Sequence, residues 1–159
     1  MVSLSLPQWK LNLLVLCFFS LHLLLPFAQA TAVKYCDKKA NYPVKVHGVA
    51  ISPDPVVRGK KATFEVSATT GEVISSGKLV VDVSLFGIPI HSEDHDLSEE
   101  VPVPVAAGDF VLSHSQVLPA ITPPGTYTLT MKLRNENNEE LTCITFKFKI
   151  VFRSEVAAS

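Results

Sequence analysis

The fold is decided by the stretch T122-P-P-G-T-Y-T-L-T-M-K-L-R-N-E-N-N-E-E-L-T-C-I-T-F-K-F-K-I-V-F152. Between residues 126 and 134, apolar side chains alternate with threonine, lysine and arginine, as is typical of a strand with one buried face. The polar run 135–140 suits a chain reversal. Residues 141–152 then alternate again, with phenylalanine and isoleucine on one face and lysine and threonine on the other. The stretch therefore predicts a long β-hairpin with an apolar inner face.

Shorter segments of the same kind precede this hairpin. Residues 44–51, 62–68 and 78–85 are strand candidates separated by glycine, proline and serine, and Gly48 interrupts the first of them as a bulge would. The prolines of 101–105 make that segment an edge or a loop. Because the chain after its first thirty residues shows no convincing helical period, it predicts an all-β, antiparallel two-sheet sandwich of about seven or eight strands.

Residues 1–30 have the layout of a secretory signal peptide. Lys10 is the only charged side chain before Lys34, residues 11–27 are almost wholly apolar, and Ala28-Gln29-Ala30 is a small-x-small cleavage site. An uncleaved signal anchor is the alternative, although the apolar run is short for a membrane span. We expect one domain, 31–159, delivered to the extracellular space or the vacuolar lumen.

The charge of the expected mature chain excludes one class of partner. Without residues 1–30 the chain has 13 basic and 15 acidic side chains, a net charge of −2. Nucleic-acid-binding domains carry a basic patch or stripe, and the sequence shows none. We therefore expect no nucleic-acid partner.

Two cysteines, Cys36 and Cys143, remain after the expected cleavage removes Cys17. An oxidising compartment allows them to pair. Two free, buried thiols are the alternative.

The sequence has few candidates for catalysis. It contains no Gly-x-Ser-x-Gly, no glycine-rich phosphate loop and no His-Glu-x-x-His. On a strand, His91, Glu93 and His95 would share one face and could bind zinc or copper, and a metal-dependent enzyme that uses them is a third hypothesis. A hydrolase triad at His114 would need an unmarked nucleophile and acid. Since no further histidine stands at a suggestive spacing, we expect no metal, no cofactor and no enzymatic activity.

The apolar inner faces allow two kinds of protein. A closed core would make an interaction module that binds a protein partner through a rim or an edge, and the pattern alone favours a closed core. Two splayed sheets would instead leave a cavity for a lipid, because each buried methylene contributes about 0.8 kcal/mol. Segments 86–90 and 101–105, which contain glycine and proline, suit the mouth of such a cavity.

Six strings, in this order and spacing after a signal peptide, resemble the ML (lipid-recognition) domain family in its plant branch: Y35-C-D-K-K, V56-V-R-G-K-K-A-T-F64, H91-S-E-D-H-D-L97, G108-D-F-V-L-S-H-S115, P123-P-G-T-Y-T-L129 and L141-T-C-I-T-F146. The resemblance implies an immunoglobulin-like sandwich with a lipid between its sheets and a Cys36–Cys143 bridge. It also implies a non-enzymatic, monomeric carrier of a sterol or phospholipid that contacts membranes transiently.

The alternation of inward and outward positions along each strand, here called parity, gives the expected lipid-binding residues together with the resemblance. The wall residues are Phe64, Val66, Val81, Val83, Leu129, Met131, Phe146 and Phe148, and the rim residues are Phe86, Ile88, Val103 and Pro104.

One departure from the family concerns cysteines. Relatives carry a second cysteine pair around the acidic loop, where this chain has Ser98 and Val103. We therefore expect residues 97–105 to be more mobile than in relatives, with altered ligand selectivity.

Overall fold

The computed structural model describes residues 31–153, and the expected signal peptide lies outside them. Within the described residues, nine strands and one short helix follow one another: β1 Lys34–Tyr35, β2 Val44–Ser52, β3 Val56–Val57, β4 Lys61–Thr70, β5 Gly77–Leu85, β6 Ile88–Asp96, α1 Leu97–Glu100, β7 Gly108–Val117, β8 Gly125–Asn135 and β9 Glu140–Val151. No helix within 31–153 is long and apolar enough to cross a membrane.

The strands form two sheets that pack face to face. The larger sheet has six strands in the order β1-β9-β8-β5-β6, with β3 added to β9, and the smaller has the order β2-β4-β7. All strand pairs are antiparallel except β3 and β9, which run parallel. The predicted all-β, two-sheet sandwich is therefore confirmed.

The predicted hairpin forms the centre of the larger sheet. β8 and β9 pair in a register that sets Tyr127 beside Phe148 and Leu129 beside Phe146. These four side chains are buried, whereas Lys147 between the two phenylalanines is exposed. The alternation of residue types thus gives the alternation of burial that a half-buried strand requires.

Two strands include polar stretches that carry no apolar alternation. The polar run after Ile90 belongs to β6, and Phe86 and Gly87, both with positive φ, make the turn that precedes it. β6 is an edge strand exposed along most of its length, so burial imposes no alternation on it. β7 likewise extends well beyond its short apolar run 110–112.

The N-terminal segment is fastened to the outer side of the hairpin. Cys36 and Cys143 form a disulfide across 107 positions, which confirms the pairing. The Cys36 amide also donates a hydrogen bond to the Cys143 carbonyl at 3.0 Å. Tyr35, stacked on Tyr42 with ring centroids 5.4 Å apart, accepts a hydrogen bond from the Val46 amide. These contacts cover Cys143, which is buried.

The segment 97–105 is anchored at both ends. Leu97 in α1 is buried, and Asp96 caps the helix by accepting a hydrogen bond from the Ser98 amide. Val105 is also buried and exchanges two backbone hydrogen bonds with Ile74. The mobility expected from the missing cysteine pair stays a prediction.

At Gly77 the backbone of β5 lies close to the Arg134 carbonyl of β8. A Cβ atom there would lie 2.1 Å from the Arg134 carbonyl oxygen, whereas one at Gly71 would have no heavy atom within 4 Å. We expect Gly77→Ala to lower the free energy of unfolding by about 1–3 kcal/mol, since the strands must separate to admit the methyl group. Gly71→Ala, the control, should change it by less than about 1 kcal/mol. Urea denaturation measures both, and equal effects would contradict the prediction.

Candidate functional site

A cavity of about 410 Å³ lies between the two sheets at one end of the sandwich. On the larger sheet its wall is built from β5, β8 and β9, with Val83 paired beside Leu129 and Tyr127 paired beside Phe148. On the smaller sheet the wall is formed by Phe64 of β4 together with His114, Gln116 and Val117 of β7. The wall is predominantly apolar. The volume of the cavity falls within the range of small-molecule sites, about 300–1,000 Å³.

The connection between β7 and β8 forms the mouth. Val117, Leu118 and Ile121 line the cavity here, and Ile121 is 88% exposed, so the cavity reaches the surface. The Tyr127 hydroxyl donates a 2.7 Å hydrogen bond to the Pro123 carbonyl and thereby holds this connection against the wall. Burial raises the pKa of Tyr127, which keeps the hydroxyl protonated as a donor.

Five of the eight predicted wall residues line this cavity: Phe64, Val81, Val83, Leu129 and Phe148. Val66 and Met131 instead border a void of only about 20 Å³ in the closed half of the core. Phe146 is buried with its ring centroid 6.1 Å from that of Phe64, and it lines neither space. The structure thus brings together most of the predicted wall and assigns the other three residues to solid core.

The four predicted rim residues lie elsewhere. Phe86 and Ile88 are exposed at the β5–β6 turn, and neither lines the cavity. Val103 packs partly buried against the core and Pro104 is exposed, both away from the wall. The mouth is formed by residues 117–123, because the β7–β8 connection, and not the proline-containing segment 101–105, covers this end of the sheets.

Several lining residues were missed from the sequence. Tyr127 and Ile150 belong to the predicted inner faces, so parity alone could have placed them near the cavity. A different feature of the sequence could have identified Val117, Leu118 and Ile121: they are apolar residues in a segment without strand alternation. Such side chains often border a ligand site or an interface.

Polar side chains occupy one side of the wall. His91, Glu93, His114 and Gln116 all border the cavity. His114 is only 2% exposed and stacks on Phe64 with ring centroids 6.3 Å apart. The cavity is therefore amphipathic, with a long apolar wall and a compact polar side.

Glu93 is the centre of these polar contacts. One carboxylate oxygen lies 3.2 Å from His91 Nε2, and the other lies 3.3 Å from His95 Nε2 and 3.4 Å from His114 Nε2. Burial raises the pKa of Glu93, but its polar contacts with His91 and His95 outweigh this and lower that pKa overall. Burial lowers the pKa of His95, yet its contacts with Glu93 and Glu99 raise it overall.

A depression at the opposite end of the sandwich is larger but differs in chemistry. It encloses about 490 Å³ and is lined mainly by polar and charged side chains from residues 70–76 and 135–140. Such a surface suits water better than an apolar ligand. The cavity beside Phe64 is therefore the better candidate site.

Residues 30–150 match the family model described as the ML domain. The chain is 33% identical to the MD-2-related lipid-recognition protein ROSY1 of Arabidopsis thaliana, an alignment that covers 94% of this chain and 92% of the relative. It is 30% identical to a phosphatidylglycerol/phosphatidylinositol transfer protein of Aspergillus oryzae, over 70% of this chain and 67% of the relative.

Two solved structures share the fold. A Niemann-Pick type C2 protein from the Japanese carpenter ant superposes with a TM-score of 0.58 at 18% identity, covering 76% of this chain and 99% of that one. Chicken MD-1 complexed with lipid IVa gives 0.52 at 20% identity, covering 74% and 86%. Both likenesses support the sandwich architecture.

The Tyr127 hydrogen bond can be tested by removing one oxygen atom. We expect Tyr127→Phe to lower the free energy of unfolding by about 0.5–1.5 kcal/mol, the usual contribution of one hydrogen bond. Amide exchange at Ile121 and Thr122 should become faster because the connection loses its anchor. Tyr42→Phe, whose hydroxyl accepts only a 3.4 Å bond from the Asp37 amide, is the control. Unchanged exchange in Tyr127→Phe would show that the hydrogen bond does not hold the mouth.

Proposed function

The chain belongs to the ML domain family, and from that premise we propose that it binds one lipid between its sheets and carries it between membranes. The observation that carries the proposal is the apolar cavity of about 410 Å³. Relatives named for lipid recognition and for phosphatidylglycerol/phosphatidylinositol transfer support it. The ligand is a sterol or a phospholipid, and the protein acts by binding, without catalysis.

Affinity comes from apolar burial along the wall. Each methylene that leaves water contributes about 0.8 kcal/mol, and the cost of ordering the lipid is subtracted from the sum. Phe64 and Phe148 contact each other edge to face, with ring centroids 5.3 Å apart, and the cavity begins beside this pair. The pair therefore forms the floor against which the apolar end of the lipid packs.

Orientation comes from the polar side of the wall. Gln116 and Thr122 border the cavity near its mouth, together with His91. Their donors and acceptors suit a hydroxyl or a phosphate ester, and a few such groups fix the orientation of a mainly apolar ligand. The head of the lipid therefore lies toward the mouth and its tail toward Phe64.

Exposed apolar side chains surround this end and supply the membrane contact. Leu85 pairs with Tyr127, so the β5–β6 turn with Phe86 lies at the cavity end of the larger sheet. Phe86 and Ile121 are 89% and 88% exposed, and Ile88 is 65% exposed. Large exposed apolar side chains grouped together are typical of interaction sites, and here they can enter a bilayer surface.

The disulfide supports a place in the secretory pathway. Bonds such as Cys36–Cys143 persist in oxidising compartments and are rare in the cytosol. We place the protein outside the cell or in the vacuolar lumen, as a monomer that meets membranes transiently.

The proposal is tested by native mass spectrometry of untagged protein purified from a secretory host, with organic extraction of the same sample. Co-purified or added sterol or phospholipid at one molecule per chain is expected. A protein that stays lipid-free with every such probe would instead be an interaction module with an unused cavity.

Filling the cavity separates binding from folding. We expect Val83→Trp to weaken lipid binding about tenfold or more, because displacing even two methylenes from the wall costs roughly 1.6 kcal/mol. Val80→Trp is the matched control, since Val80 lies on the same strand but faces outward between Asp94 and Lys132. Fluorescent-lipid titration measures both, with circular dichroism to verify folding. Equal binding by the two variants would exclude this cavity as the site.

The exposed apolar residues of the β5–β6 turn are predicted to act in transfer but not in binding, because neither Phe86 nor Ile88 lines the cavity. We expect the double variant Phe86→Asp/Ile88→Asp to slow vesicle-to-vesicle lipid transfer severalfold while its equilibrium lipid affinity stays within about twofold. Val73→Asp, at the opposite end and 59% exposed, is the control and should transfer normally. Slowing by both variants alike would indicate a nonspecific charge effect and contradict docking through the cavity end of the sandwich.

A further inference from the structure

Four ionisable side chains from three elements meet beside the cavity. β6 supplies Glu93 and His95, α1 supplies Glu100, and β7, in the other sheet, supplies His114. His114 and Glu100 are only 2% and 8% exposed. Burial of so many charged groups is costly unless each has a partner.

The contacts have a regular pattern. The Nε2 atoms of His95 and His114 lie 3.3 and 3.4 Å from the same Glu93 oxygen. On their other sides, His114 Nδ1 lies 3.1 Å from Glu100 Oε1, and His95 Nδ1 lies 3.4 Å from Glu99 Oε2. Every ring nitrogen of the two histidines therefore faces a carboxylate oxygen.

Counting protons shows what this pattern needs. A neutral imidazole has one N–H donor, so with two neutral rings one nitrogen of each would direct a lone pair at a carboxylate. Two protonated rings would avoid that, but they would place two cations with centroids 4.9 Å apart in a largely buried site. One divalent cation between the Nε2 atoms and Glu93 supplies the same charge as the two extra protons and leaves both Nδ1–H groups to donate to carboxylates.

We propose that Glu93, His95 and His114 bind a zinc ion. Their ligand atoms all lie within 4.8 Å of one another. Ligands about 2.0–2.1 Å from a tetrahedral zinc ion are roughly 3.3–3.4 Å apart, which matches both distances from the Glu93 oxygen to the histidine Nε2 atoms. Two imidazoles and one carboxylate favour zinc over calcium or magnesium, which prefer oxygen ligands alone.

The surroundings support the same ion. Glu100 and Glu99 accept from the outer histidine nitrogens, the arrangement that orients histidine ligands in zinc proteins. Among the described residues, His95 Nε2 and Glu100 Oε2 are buried atoms without an aligned hydrogen-bond partner. The first is a proposed ligand atom, and the second lies on the carboxylate that supports His114.

The open coordination position faces the cavity, since Glu93 and His114 both line its wall. A water molecule would complete the tetrahedron there, as in zinc sites with three protein ligands. The zinc proposal does not depend on the proposed lipid function, because it rests on the side chains of β6, α1 and β7 alone.

The direct test uses untagged protein from a secretory host, stripped with EDTA and titrated with zinc sulfate. Calorimetry and native mass spectrometry should both give one ion per chain, and Co²⁺ in place of zinc should show the visible bands of four-coordinate cobalt. His47→Gln controls for surface binding, because His47 is exposed beside Asp109 and distant from the cluster. The proposal would be overturned if the protein bound no zinc, or if His47→Gln lost zinc binding as completely as Glu93→Gln does.

Two further variants distinguish ligands from their supports. Glu100→Gln should weaken zinc binding about 10–100-fold, as removal of an outer partner does. Glu93→Gln, which preserves side-chain shape, should weaken it at least as much and abolish the cobalt bands, and His95→Gln gives a second check on a partly exposed position. Circular dichroism of the metal-free variants verifies their fold. Folded Glu93→Gln protein with unchanged zinc affinity would show that the ion binds elsewhere.

Discussion

The structure depends on how far apart its two sheets are held, and aromatic contacts set that distance. Phe64 of the smaller sheet meets Phe146 and Phe148 of the larger one, with ring centroids 6.1 and 5.3 Å apart. On one side of these rings the core closes to a void of about 20 Å³, and on the other it opens into about 410 Å³. Packed sheets normally lie about 10 Å apart with interdigitating side chains, so an open half requires a closed half to support it.

The open half has a thermodynamic consequence. An unfilled apolar cavity forfeits dispersion contacts and lowers stability, whereas a ligand that binds only the folded state restores it by mass action. The hairpin of β8 and β9 supplies much of the cavity wall on the larger sheet. The bridge at Cys143 links the outer side of this hairpin to the N-terminal segment. Stability and the proposed lipid binding therefore draw on the same apolar surface.

The polar cluster shows how the sandwich joins its sheets at an edge. β6 and β7 lie at edges of different sheets, and the contacts of Glu93 with His114 cross between them. Ionic groups in such a position stabilise the fold only when every partner is present. Two extra protons or the proposed zinc ion would meet that condition, and either one adds the same charge to the cavity wall.

By itself, the sequence determined the sandwich, the hairpin and the inward or outward position of each strand residue, because strand period is a local property; the pairing of Cys36 with Cys143 was implied only by the family resemblance. Resemblance added the family. Parity states which face a side chain occupies, but not what stands opposite: Val66 and Val81 have inward parity alike, yet one borders solid core and the other the cavity. Only the tertiary structure showed that His114 contacts Glu93, that the β7–β8 connection forms the mouth and that the polar β6 is an edge strand. Those placements depend on how two sheets diverge, which is set by all their side chains together and by none of them locally.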